Sequence, residues 1–163
     1  MERELIFLYD NLIYHIDNTA YIIGESVQDE ELKQRIQDVT QKNNLDHIKS
    51  VLDLAYAEVN NLCYPYTKIP PAAPMGRDFN DLSDKKRYVI HLVMPPTTAK
   101  SSLELARERI NEYFVWKVMN DWLKITAPDI AGKYSKDESK MGDLIQEALA
   151  PRMKTLSIKP STF

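Results

Sequence analysis

The stretch from Ser101 to Ile125, SSLELARERINEYFVWKVMNDWLKI, constrains this chain more than any other. Leu103, Ala106, Ile110, Phe114, Val118, Trp122 and Ile125 recur at spacings of three and four, the period of one helix face. Tyr113, Val115, Trp116 and Met119 widen the stripe until Lys117, Asn120 and Asp121 are nearly its only polar relief. A helix that is apolar almost all round must be buried on most sides. In a chain of 163 residues its covering comes from several further helices, a neighbouring subunit, or both. Four large aromatics, Tyr113, Phe114, Trp116 and Trp122, exceed what one side of a core needs. Such aromatics are more often core than interface, but they also anchor interfaces, so the expectation stays open between this chain's own core and partial burial against another chain.

The totals narrow the field. The length suits a single domain spanning residues 1–163, large enough to bury roughly 70% of its unfolded surface. A net charge of −3 gives no reason to expect nucleic acid or an anionic membrane as a partner. Cys63 is the only cysteine, which forbids an intrachain disulfide and any cysteine-built metal site and suits a reducing compartment. No run is long and apolar enough for a transmembrane helix. MERELIFLYDNLIYH lacks the basic start and small-residue cleavage site of a signal peptide, so a cytosolic product is expected. The four isolated glycines build neither a phosphate loop nor a dinucleotide fingerprint. No cofactor is expected.

Along the chain, residues 3–23 carry two patterns. Leu5, Leu8, Leu12, Ile16, Thr19 and Ile23 form a helical stripe, whereas Leu5–Phe7–Tyr9 and Leu12–Tyr14–Ile16 alternate as strands would. Helix is favoured, because no turn chemistry separates the two would-be strands, and Gly24 suits its C-cap. Asp29 caps a second helix marked by Leu32, Ile36 and Val39. A third runs from Leu45 to Cys63, with Ile48, Leu52, Ala55, Val59 and Leu62 on one face. YPYTKIPPAAPM stops it, opening a proline-rich connection over residues 64–86. Connections of that length are usually functional or mobile.

KRYVIHLVMP is the one convincing strand, with Tyr88, Ile90, Leu92 and Met94 on one face. A lone strand cannot satisfy its own backbone, so it pairs with the N-terminus, with the loop near Ile69, or with another copy. Thr97, Thr98 or Ser101 caps the long helix, and Thr126–Ala127–Pro128 closes it. Residues 129–140 read as a solvated linker and Met141–Ala150 as a last short helix. The tail 151–163 is basic. The fold expected is mainly α: a bundle of four to five helices with one or two short strands and a long proline-rich loop.

Candidate chemistry is sparse. His15, His47 and His91 fall in no metal-ligand spacing. His91, mid-strand, reads as a hydrogen-bonded structural histidine, and His47 faces water in a helix's first turn. Cys63 sits at a helix C-terminus, the wrong pole for a reactive thiolate. Asp29–Glu30–Glu31 and Glu104–Glu108 lie on solvated faces, where surface ion pairing explains them. No catalytic, cofactor-binding or metal residue emerges. The candidates that remain are interaction residues: Tyr64 and Tyr66 beside the proline-rich loop, Ile69 within it, Trp116 on the long helix, and Arg152, Lys154, Lys159 and Phe163 in the tail.

Taken together, LDLAYAEVNNLCYPYT, the strand and its proline break, NEYFVWKVMNDWLKIT, and LIQEALAPRM before a basic tail resemble the small helical head–tail connector proteins of tailed bacteriophages and prophages. The resemblance runs over residues 45–156. Its corresponding pieces are Ala55 to Val59, the helix from Leu103 to Ile125, and Leu149 to Arg152. The first 44 residues have no counterpart in the short versions, and the proline-rich loop is long. The resemblance implies a non-catalytic virion assembly protein at the head–tail junction, made in the host cytoplasm. Its partners would be copies of itself, in a ring of about twelve, and portal and tail proteins. Neck, stopper and tail-completion roles are all open to it. The alternative reading is a small cytosolic helical module that binds one partner, with the Tyr64–Met75 loop as its contact surface.

Overall fold

The computed structural model describes residues 2–67 and 86–150. In chain order it contains β1 (Glu2–Leu8), α1 (Tyr9–Glu25), α2 (Glu30–Gln37), two 3-10 turns (Asp38–Thr40 and Lys42–Asn44), α3 (Leu45–Thr67), β2 (Arg87–Val93), α4 (Lys100–Thr126), α5 (Pro128–Tyr134) and α6 (Glu138–Leu149). The fold is mainly α. Among the described residues, five helices of eight residues or more pack with one small antiparallel sheet on a single flank, and α5 adds two short turns.

Helix α4 is the axle. Ala106, Ile110, Tyr113, Phe114, Val115, Val118, Met119, Trp122 and Leu123 are all buried. The chain supplies the covering itself. α3 and α6 both run antiparallel to α4: His47 bonds Asp121 and Glu58 bonds Tyr113 between α3 and α4, and Lys117 bonds Glu138 between α4 and α6. α1 and α2 close a further flank, where the Trp122 indole N–H donates to the Ile36 carbonyl at 3.1 Å. Tyr113, Phe114 and Trp122 are thus core residues of a single chain, and only Trp116 of the four aromatics stays half-buried.

The sheet caps the remaining flank. β1 and β2 pair in one antiparallel register, Leu5 opposite Ile90 and Phe7 opposite Tyr88. Leu5 and Phe7, with Tyr88, Ile90 and Leu92, form the buried face. Phe114 of α4 lies under it, its ring centroid 5.4 Å from Phe7 and 5.6 Å from Tyr88. The partner of β2 is therefore the N-terminus, one of the three candidates the lone strand offered.

Several expectations are corrected. Residues 3–23 are neither one helix nor a hairpin: the strand alternation holds to Leu8, and the helical stripe of Leu12, Ile16 and Ile23 takes over at Tyr9. The ladder bond from Tyr9 N–H to the Lys86 carbonyl, 3.0 Å, joins the two patterns, so no turn is needed. Gly24 does not cap α1. It is buried inside the helix, where a Cβ would come within 2.7 Å of the Gln37 side chain, so its smallness lets α1 and α2 approach. α3 does not stop at Tyr64. It carries Pro65 within its last turn and ends at Thr67, and Tyr66 continues the buried line of Val59 and Cys63. A proline this near the end forfeits only one helical bond. The rest of the proline-rich connection lies outside the described residues.

α4 begins at Lys100 behind Ala99, with no side-chain cap, so neither Thr97, Thr98 nor Ser101 fills that role. The solvated linker contains α5, begun by Pro128, whose preset φ suits a first helical position. Its Ala131 is buried. α6 starts three residues before Met141 because Asp137 caps it, accepting from the Ser139 and Lys140 amides at 3.0 and 3.4 Å. Asp29 caps α2 in the same way.

Candidate functional site

The polar groups that reach into the helical layer are the places where chemistry could occur. The most concentrated set joins α3, α4 and α6. Lys117 is 15% exposed and bridges two carboxylates, Glu58 at 3.1 Å and Glu138 at 2.8 Å. Burial alone would lower its pKa, but the two carboxylates outweigh that and hold it raised. The ammonium is therefore charged and fully engaged, the opposite of a lysine prepared as a base. Tyr113 donates to the second Glu58 contact at 2.6 Å, and burial foremost pushes its phenol up. Beside this cluster lies an open groove of about 420 Å³, lined by Glu58, Leu62, Tyr113, Glu138 and Asp143.

One turn along α4, Asn120 is the one buried polar side chain among the described residues. Its amide donates to the Lys136 carbonyl at 2.8 Å and accepts from the Lys136 N–H at 3.0 Å. That paired bond fixes the start of the turn into α6. Next to it, Lys136 reaches Glu112 at 2.6 Å and sits 4.8 Å over the Trp116 ring. The Lys136 bond, with Arg109 helping, holds the Glu112 carboxyl below its usual range. Arg109, Glu112 and Trp116 line a second groove, about 430 Å³, between α1 and α4, together with His15, Thr19 and Leu105.

The remaining candidates have structural surroundings. Burial pushes the Cys63 thiol up to about 12, so it is protonated in the core. His91 is not lodged among apolar neighbours. It lies on the outer face of the sheet, 58% exposed, with its Nδ1 3.2 Å from Glu4, because Ile90 and Leu92 point the other way. His47 is half exposed and pairs with Asp121 at 2.6 Å rather than meeting water alone. Among the described residues no three His, Cys, Asp or Glu side chains gather as a metal site. No described helix is long and apolar enough to cross a membrane.

Of the interaction residues read from sequence, Tyr64 stands 57% exposed on α3. Tyr66, two positions on, turns inward and points its hydroxyl at the Gln146 carbonyl, 3.5 Å away. Trp116 is held beneath Lys136 on the α1 side of α4. The structure does not bring these three together. Ile69, Arg152, Lys154, Lys159 and Phe163 lie outside the described residues.

Sequence reasoning missed the Glu58–Lys117–Glu138 bridge and the Asn120–Lys136 clasp. The signal was present: Lys117 and Asn120 interrupt an apolar helix, and a polar side chain there needs a partner. The partners sit 59, 21 and 16 residues away, which no local pattern shows. No family model, curated protein or solved structure matches the chain.

Proposed function

We propose that this chain is a non-catalytic assembly subunit, a connector or neck-ring protein of a tailed phage or prophage particle. One observation carries the reading. Among the described residues the core of the helical layer is buried by the chain's own helices, whereas the sheet has two strands, and a sheet edge is a place where another chain can pair. A protomer that buries its own core and presents a sheet edge suits joining copies better than transforming a substrate. The resemblance over residues 45–156 supports the same conclusion, and so does the engagement of Lys117, Tyr113 and Cys63 in packing. The mechanism is physical: a head-to-tail contact repeated among identical subunits closes into a ring when its rotation permits. Portal and tail proteins would meet the two ends of that ring.

The binding-module reading is favoured by a different observation. Trp122 and the apolar middle of α4 are covered by the chain's own helices, so no neighbour is needed to bury them. Electron microscopy of the purified protein separates the two. The connector reading expects closed rings of uniform diameter, and removal of Met153–Phe163 should leave a folded protomer that no longer forms them. Single small particles with the full chain, under all conditions, would support the module instead.

A further inference from the structure

We draw no further inference here: the strongest candidate, the groove between α1 and α4 together with the exposed Tyr14, Tyr21 and Ile22 of α1, is an exposed apolar face, and nothing in the structure shows what covers it.

Discussion

The α3–α4–α6 layer and the β1–β2 sheet solve the same problem to different degrees. Both bury an apolar face against the other through Phe114. A helix satisfies its own backbone, so the layer needed only side-chain partners, and it found them in Glu58, Glu138 and the Lys136 main chain. A strand satisfies half its backbone on each side. Among the described residues the sheet has two strands, and its outward groups are met by side chains, Tyr56 at Val89 and Arg107 at Ile6, rather than by a third ladder. The difference teaches where to look for partners in a chain without a catalytic signature: at the element that cannot complete itself, rather than at the one richest in aromatics.

That comparison can be broken at its hinge. Phe114 is fully buried and touches rings from both strands. Phe114→Ala should cost about 3–5 kcal/mol of unfolding free energy and loosen the sheet before the helices. Denaturant unfolding, followed by both helical and near-ultraviolet signals, would read it. A loss under about 1 kcal/mol would mean that the sheet is not anchored there. Within the layer, Asn120→Ala removes both side-chain bonds to Lys136 and leaves its main-chain groups short of partners. We expect a loss of about 1–3 kcal/mol, with α5 and α6 exchanging amide hydrogens faster than α1 and α2.

Smaller effects sharpen the picture. Asp137→Ala deletes the α6 cap and should cost about 1 kcal/mol, and Asp29→Ala should do the same at α2. Equal losses would show two equivalent caps, whereas a larger loss at Asp137 would mark α6 as the more tightly coupled helix. Glu112→Gln should cost less than about 1 kcal/mol at neutral pH, since Glu112 and Lys136 both touch solvent. The folded pKa of Glu112 lies below its ordinary value of 4.5. The folded state therefore binds its proton less readily, and the stabilisation is present above pH 4.5 and fades as pH falls through the folded value. Parent and variant should converge in acid. A gap that persists at low pH would assign the effect to packing around Trp116.

Much of this was legible in the chain. The buried middle of α4, the Asp29 cap, the two faces of β2 and the structural character of Cys63 follow from periodicity and end chemistry, but Ile125, the last residue of the α4 stripe, stands 60% exposed. The division of residues 2–25 did not, because Leu5 serves a strand pattern and a helix pattern equally. What decides it is β2, more than eighty positions later, which needs a partner for its ladder. Helix α5 was hidden by the polar run DIAGKYSKDESK, before which Pro128 was visible as a stop but not as a start. Trp116 was legible as an unusual aromatic, but its pairing with Lys136 depends on how the turn into α6 folds back. The edge of β1 could not be seen until the register was known.

The most direct test of the account is the solution mass of the full chain, by light scattering across a wide concentration range. Assembly predicts one discrete large species, a whole-number multiple of the 18.9 kDa protomer, growing in at the expense of monomer as concentration rises. A constant 18.9 kDa particle at every concentration would contradict it and leave the two-stranded sheet as a finished part of a self-contained module.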